Sequence, residues 1–277
     1  MARIQSLAIL ASTTGNDYLA EKYGQVIQNI QKNTISGRIK NNNLSGDPTT
    51  GTVEAKRFSN TTSKAYGTAR SGSAGVKITA KPVVVAIDTD KELIREVENK
   101  DVRLYGVDGL VERQTASDEA SIKRELERAF FAEAVTAGTA VSLTETDIAD
   151  KLEELIQKLE VVKNDYVDGV PRDVMHLALA PSVYGKARIY FDKVQDGGAH
   201  GESFDVFHGV RVDSSTYLPS GTDAVLQVEG SVAQPVLFTP QPAAKIPFSN
   251  AYAFGMFFSY GTKAVTEDLI FTVANPF

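Results

Sequence analysis

Residues 36–81 read SGRIKNNNLSGDPTTGTVEAKRFSNTTSKAYGTARSGSAGVKITAK, and this stretch decides the fold. It is basic and rich in Gly, Ser, Thr and Asn, yet it contains short β-type segments at 52–55 (TVEA) and 75–79 (GVKIT). Compact domains rarely carry a polar insertion of this length unless it is functional or disordered. Extended arms become ordered against another subunit, so the stretch predicts assembly rather than catalysis.

The distribution of charge supports an assembling chain. Residues 22–81 contain ten basic and two acidic residues, a net charge of +8, whereas the remainder contains 19 basic and 33 acidic residues, a net charge of −14. A basic arm on an acidic body favours head-to-tail self-association. The alternative is nucleic-acid binding, which ranks second because only Phe58 and Tyr66 supply aromatic rings within 36–81.

Composition bounds the class of protein. The 277 residues are 42% apolar and 23% charged, as is usual for globular chains with a sizeable core. The absence of Cys excludes a disulfide framework, a thiol nucleophile and a thiolate metal site. No apolar run reaches the roughly 18 residues of a membrane span, and the short apolar patch at 7–11 is a weak signal peptide, so a cytoplasmic product without a membrane partner is expected.

Periodicity predicts a mixed α+β class, because helices and strands do not alternate as βαβ units. Helices are expected at 12–31, which is either a core helix or a segment that docks on a partner, and at 116–137, 145–162 and from Pro181 onward. Continuous apolar runs predict buried strands at 82–87 and 174–180, with further strands at 210–212, 224–228, 235–239, 252–260 and 269–273. The capping-box spacing at 89–92 predicts a short helix with Leu93, Ile94 and Val97 inward.

The helix at 116–137 is the strongest of these signals. Acidic residues crowd its first turn and Gly138 follows its end. Its apolar residues form one stripe: Ile122, Leu126, Ala129, Phe130, Ala134 and Ala137. It is interpreted as the backbone on which the rest of the subunit is built.

Residues that carry chemistry form no catalytic set. His176 lies in an apolar strand and is interpreted as a satisfied core residue. His200, Glu202 and His208 lie in a Gly-rich region, but their spacing matches no helical zinc motif. Asp88 and Asp90 are interpreted as helix caps rather than metal ligands.

Glycine motifs and carboxylates add no site. Residues 72–75 (GSAG) lack the Walker spacing and are interpreted as a loop tip, and no nucleophile elbow is present. The carboxylates at helical positions are interpreted as solvated faces: Glu125, Glu127, Glu153 and Glu154. No cofactor and no enzymatic activity are predicted.

The order of these elements resembles the major capsid proteins of tailed bacteriophages with the HK97-type fold. Local sequence is also similar: 51–58 (GTVEAKRF) and 66–70 (YGTAR) in the arm, 179–184 (LAPSVY) at the strand-to-helix junction, and 209–219 (GVRVDSSTYLP). The resemblance implies an N-terminal arm at 1–35, an extended β-hairpin loop at 36–78, a peripheral domain with a spine helix at 79–142 and 246–277, and an axial domain at 143–245.

The resemblance also implies function. It predicts a structural protein of the virion that assembles in the host bacterial cytoplasm into hexamers and pentamers of an icosahedral head. The expected partners are other copies of the chain, a separate scaffolding protein, a portal, and packaged double-stranded DNA through non-specific contact. The candidate inter-subunit residues lie in the loop: Lys56, Arg57, Phe58, Lys64, Tyr66 and Arg70. An encapsulin-type nanocompartment shell is the alternative, and a hydrolase or transferase is a more distant one.

Overall fold

A computed structural model describes residues 7–61, 63, 65–66, 78–194 and 204–274 of the chain. A 3-10 turn at Leu7–Ala11 precedes the helices, which are α1 (Thr13–Asn33), α2 (Ile35–Ile39), α3 (Asn99–Ala137), α4 (Ile148–Glu160) and α5 (Pro181–Val194). The strands to Leu179 are β1 (Leu44–Ser45), β2 (Thr52–Phe58), β3 (Ala80–Ala86), β4 (Thr89–Glu98), β5 (Thr139–Ala140) and β6 (Met175–Leu179). The later strands are β7 (Val206–Phe207), β8 (Val210–Ser214), β9 (Ala224–Val228), β10 (Val232–Ala233), β11 (Val236–Lys245), β12 (Ala251–Tyr260), β13 (Lys263–Ala264) and β14 (Ile270–Val273). The predicted α+β class is confirmed.

One core lies between the antiparallel sheet β11-β12-β4 and the helices α1 and α3. Helix α1 begins at the N-cap Ser12, whose Oγ accepts a hydrogen bond from the Gly15 N–H at 3.2 Å. Its buried side chains repeat at helical spacing: Leu19, Tyr23, Val26 and Ile30. Of the two interpretations of this segment, the structure therefore shows the core helix.

The short helix predicted after residue 88 is wrong, because β4 occupies this position. Every residue of β4 pairs with β12, from Thr89 opposite Tyr260 to Glu98 opposite Ala251. Ile94, predicted to point inward, is 40% exposed. The caps assigned to Asp88 and Asp90 are therefore also wrong, and Asp90 instead accepts a hydrogen bond from the Ser259 hydroxyl at 2.5 Å.

The predicted long helix is present, and it begins 17 residues earlier than the pattern indicates. Its first part is separated by a break at Gly106, whose φ of 70° lies outside the helical region. The helix ends at Gly138 as predicted, and a Cβ there would lie 2.6 Å from the Ala134 carbonyl oxygen and 2.8 Å from Ile270. We call α3 the spine helix, since its side chains contribute both to the first core and to a further buried cluster with residues of β6, β9 and β14.

The second core lies under a sheet of order β5-β14-β9-β6-β8-β7, covered by α4 and α5. All five residues of β6 are buried, as the apolar run predicts. Helix α4 buries the stripe Leu152, Leu155, Ile156 and Leu159. The segments predicted as a helix at 145–162 and strands at 174–180, 210–212 and 224–228 are confirmed in type.

The strands of the C-terminal third belong to both of the large sheets. Strand β11 pairs with β12 in the first sheet, whereas β14 pairs with β9 in the second. Strand β11 is longer than predicted and continues through Pro240 and Pro242, which an edge strand tolerates since its outer N–H groups need no partner. The domain boundaries given above remain a prediction. In the described part of the chain no helix is long and apolar enough to cross a membrane.

Candidate assembly surfaces

Strands β2 and β3 form an antiparallel hairpin, in which β2 lies within the stretch 36–81 and β3 begins at its last two residues. Pairing runs from Thr52 opposite Ala86 to Phe58 opposite Ala80. Beyond the strands the Ser59 N–H donates to the Thr79 carbonyl oxygen at 2.9 Å, and the Thr79 N–H donates to the Ser59 hydroxyl at 3.1 Å. The two chains therefore stay paired to this point, and residues 60–78 connect them. We call β2, β3 and this connection the arm hairpin.

The base of the arm hairpin packs on its own subunit. Val53 and Ala55 alternate with the more polar Glu54 and Lys56 along β2, so one face of the strand is apolar. That face joins a small buried cluster: Val53, Ala55, Val85, Ala233 and Val265. Strand β3 is otherwise more open than predicted for a buried strand, and Val84 is 54% exposed. The hairpin therefore has one anchored face and one free face.

Arg57 anchors the outer part of β2. Its guanidinium donates to both carboxylate oxygens of Asp268, at 2.5 and 2.8 Å, and lies 4.5 Å from the ring centre of Tyr166. Asn164 also donates to Asp268. Burial works against ionisation of Asp268, but the Arg57 and Asn164 contacts outweigh it and hold the pKa of this carboxyl below its usual value. Bidentate pairing fixes both position and orientation of the strand.

The six candidate contact residues therefore differ in their environments. Lys56 is exposed, Phe58 is 59% exposed and Tyr66 is 92% exposed, whereas Arg57 is engaged within its own subunit. Lys64 and Arg70, like His200, Glu202 and residues 72–75, lie outside the described residues. A role for these six residues between subunits remains a prediction.

The structure also exposes apolar side chains that the sequence pattern does not predict. Phe248 lies at the turn between β11 and β12 with φ at 58°, and its side chain is fully exposed. Leu104 is 73% exposed beside the helix break at Gly106. Such residues leave apolar area in water, which marks protein contact surfaces when they cluster. The sequence signal for Phe248 is its position between turn residues, in 246–250 (IPFSN).

The short helix α2 precedes the arm hairpin in sequence, and two carboxylates hold it. Glu127 of the spine helix accepts hydrogen bonds from the Ser36 N–H at 2.8 Å and the Ser36 hydroxyl at 3.0 Å. Asp213 of β8 pairs with Arg38 at 2.7 Å. Glu127 is only 2% exposed, so the interpretation of this residue as a solvated face is wrong.

His176 is a second partner of Asp213. Its Nε2 lies 2.6 Å from Asp213 Oδ2, while its buried Nδ1 has no hydrogen-bond partner among the described residues. The interpretation as a satisfied core histidine is therefore right for one ring nitrogen. The hydrogen bond from His176, with burial opposing and Arg38 assisting, lowers the pKa of Asp213.

The other acidic helix positions are also paired. Arg172 donates to Glu153 at 2.7 Å and to Glu160 at 2.8 Å, and His208 Nδ1 lies 2.7 Å from Glu153. The Arg172 hydrogen bonds lower the pKa of Glu153 to about 2. Glu154 accepts from the Thr144 N–H. These contacts join α4 to the segments around it, so the carboxylates are structural.

The remaining carboxylate, Glu125, is half-exposed and accepts from the Tyr260 hydroxyl at 2.9 Å. Within the described ranges no three His, Cys, Asp or Glu side chains group as metal ligands.

Comparison with known proteins rests on structure. No protein-family model and no curated protein sequence matches the chain. The solved capsid of cyanophage P-SCSP1u is similar with a TM-score of 0.62 and 13% identity, covering 87% of this chain and 88% of its own. A structure from Mycobacterium phage Che8 has a TM-score of 0.58 and 16% identity over 80% of this chain and 84% of its own. A virus-like particle from Pyrococcus furiosus has a TM-score of 0.56 and 12% identity, covering 92% of this chain and 99% of its own.

These similarities show the fold. The chain has the HK97-type α+β fold of phage capsid proteins, as the resemblance in sequence predicts.

Proposed function

We propose that this chain is a structural shell protein that assembles into the hexamers and pentamers of an icosahedral phage head enclosing double-stranded DNA. The observation that carries the proposal is the similarity in fold to solved phage capsids over most of the chain. On this proposal the protein resides in the virion and has no catalytic role. Its partners are other copies of itself, a separate scaffolding protein, a portal and DNA bound without sequence preference.

The arm hairpin supports this proposal independently of the comparisons. Its inner face is anchored by a buried cluster and by Arg57, whereas its outer residues, among them Lys56 and Phe58, are exposed. A hairpin that is anchored at the base and exposed along its outer part fits a contact between subunits. Heterologous contacts of this kind close into rings or curve into shells.

An encapsulin-type nanocompartment is the second candidate. The virus-like particle from Pyrococcus furiosus covers a larger share of this chain than the two phage structures above, and it is covered almost completely itself. The length and sequence of the arm favour the phage head. The two candidates differ in content, since one shell encloses DNA and the other encloses protein cargo.

Electron microscopy of the overexpressed protein tests assembly. We expect closed shells or rings, with or without co-expressed scaffolding protein. A strictly monomeric sedimentation profile at high concentration would contradict the proposal. Nuclease-resistant DNA in particles purified from the native source supports the phage head, whereas a stoichiometric protein cargo supports the nanocompartment.

A further inference from the structure

One side of the spine helix is exposed and carries no acidic residue between 113 and 136. Its exposed residues are basic, small or hydroxylic: Arg113, Ala116, Ser117, Ala120, Arg124, Arg128, Ala132 and Thr136. At 3.6 residues per turn, the three arginines lie within about 60° of one another around the helix axis and span about 22 Å along it. We call this side of the helix the arginine face.

The acidic residues of the same segment are engaged inside the subunit. Asp118 accepts hydrogen bonds from the Tyr23 hydroxyl and from Arg95 Nε, each at 3.3 Å. The other four each accept from a partner on another element: Glu119 from Asn29, Glu125 from Tyr260, Glu127 from Ser36 and Glu133 from the Ala264 N–H. Arg128 assists Glu125 only through its charge, from beyond ion-pair distance. The helix therefore uses its acids for internal contacts and exposes its arginines.

The arginines of this face lack the partners that the acids have. In the part of the chain that the structure describes, Arg113, Arg124 and Arg128 form no ion pair, whereas the segment's buried or half-buried acids pair with other cations. The Arg113 guanidinium lies 4.2 Å from the ring centre of Tyr105, and stacking on a ring leaves the N–H groups at the edge of the guanidinium open. Arg124 donates only to the Ser121 hydroxyl, at 3.5 Å. The face therefore carries three positive charges without a carboxylate partner.

An opening of about 190 Å³ adjoins the first turn of the arginine face. Arg113 and Ser117 line it, and none of its lining residues among those described is acidic. Arg95 also lines it but is paired with Asp118, so Arg113 supplies the excess positive charge. An anionic group entering the opening would meet a guanidinium and an exposed hydroxyl, both of which can donate to it.

The spacing of the arginines selects the class of anion. The exposed acids Asp108 and Glu112 lie about 100° or more around the helix from Arg113, on the side of α1, where Glu112 pairs with Lys22. A DNA duplex carries one negative charge for about every 1.7 Å of its axis, so arginines spread over about 22 Å meet phosphates in any register. Carboxylates on a protein would have to match the positions of the arginines. The small side chains between the arginines allow a backbone to approach closely.

We propose that the arginine face binds the phosphate backbone of the enclosed double-stranded DNA without reading its sequence. The inference rests on the proposed shell function and assigns the DNA contact to one surface of the subunit. Charge complementarity supports it, because these arginines stand on a body whose net charge, outside residues 22–81, is −14. A local positive surface on an acidic body lets DNA touch the shell at this face while the rest of the body repels it.

Binding of the unassembled full-length subunit to a short duplex, measured by fluorescence anisotropy over a range of salt concentrations, is the first test. Each phosphate that a cation neutralises contributes about 0.9 to the slope of log K against log salt. We expect the variant with Arg113→Gln, Arg124→Gln and Arg128→Gln to bind at least about tenfold more weakly at low salt, with a slope shallower by about 2.7. A duplex of scrambled sequence should bind wild type equally well.

The matched control changes the same amount of charge away from the face. Lys100→Gln, Lys163→Gln and Lys245→Gln remove three charges from exposed side chains, two of which pair with acids. All six substitutions are at exposed positions, so both variants should fold, as circular dichroism would verify. An unchanged slope in the arginine variant overturns the proposal, and so does an equal change in the control. Loss of shells by the arginine variant with unchanged duplex binding would assign the face to an acidic surface of a second copy.

Crosslinking of DNA to protein in DNA-filled wild-type particles, with mass spectrometry of the crosslinked peptides, is the second test. Crosslinks within residues 107–137 support the inference. DNA-filled particles in which a second copy covers the arginine face overturn this inference and leave the proposed function intact. Failure of the wild type to form any ring or shell overturns the proposed function and, with it, the inference.

Discussion

Phe130 lies on the spine helix with no exposed surface, and its ring meets Phe131 edge to face at a centroid distance of 5.6 Å. We predict that Phe130→Asp prevents folding, because a buried carboxylate without a partner costs several kcal/mol. Phe130→Leu, which keeps an apolar side chain, should fold with a lower unfolding midpoint. Lys56→Ala, at an exposed site, and Lys64→Ala, in the polar loop, should leave stability within about 0.5 kcal/mol. Soluble Phe130→Asp protein with native circular dichroism would contradict this prediction.

Glu153 gives the stability of the second core a dependence on pH. Its pKa in the folded chain is about 2, below the ordinary value of 4.5, chiefly because Arg172 donates to it. A lowered folded-state pKa contributes stability that is present above the unfolded-state value and is lost as pH falls toward 2. We predict that Glu153→Gln destabilises the subunit at pH 7 and destabilises it much less at pH 3. Urea unfolding at both values tests this, and an equal loss of stability at both would contradict it.

Individual polar residues limit what the sequence can tell. Glu127 and Phe131 are four residues apart, as are Leu126 and Phe130 in the predicted stripe. This second pair indicates a second buried face of the helix. The single stripe predicted for this helix confirms Ile122, Leu126, Phe130 and Ala134 as buried and omits Phe131. A carboxylate in that second face becomes tolerable only because Ser36 reaches it from 91 residues away in sequence. Such long-range partners leave no local signal.

At the scale of elements, the local helix propensity of a segment competes with its pairing to a neighbouring strand. Residues 89–98 contain helix formers and a capping box, yet they form β4 because β12 offers ten residues of pairing and an apolar face. Leu93, Arg95 and Val97 are spaced two residues apart and lie on one face of β4, and this spacing was the sequence signal for a strand. Polar residues on β4 are compatible with its place at the edge of the sheet. Tertiary pairing overrides local preference where the two disagree.

The position of the arm hairpin depends on one ion pair at its outer part. We predict that Arg57→Ala leaves the subunit folded and increases amide exchange along β2 and β3, because the base cluster remains while the Asp268 clamp is lost. Arg57→Lys should restore little, since an ammonium cannot donate to both carboxylate oxygens in the same plane. Hydrogen exchange with Lys56→Ala as control tests this. Unchanged exchange in Arg57→Ala would show that the base cluster alone fixes the hairpin.

For the whole molecule, the two parts of the arm hairpin have different expected roles. The anchored base contributes to folding of the subunit, and the exposed outer part is expected to contribute to assembly. The base residues Val53, Ala55 and Val85 belong to a buried cluster, so removing them would affect the subunit itself. Among the described residues, this cluster includes none from the connection beyond the hydrogen bonds between Ser59 and Thr79. A deletion confined to the connection therefore tests assembly without testing the core.

We predict that replacing residues 62–77 with a short Gly-Ser linker gives a folded subunit that builds no stable shell. The deletion keeps β2, β3, Arg57 and the closing hydrogen bonds, so the unfolding midpoint should change little. It removes Lys64, Arg70 and Lys77 and no acidic residue, together with Tyr66. A charge-only control, in which these three basic residues become Gln, separates electrostatic attraction from contact area. Shells from the control but not from the deletion would assign the role to contacts, and loss in both to charge. Normal shells from the deleted chain would refute an assembly role for the connection, and an insoluble deleted chain would show that the subunit core needs it.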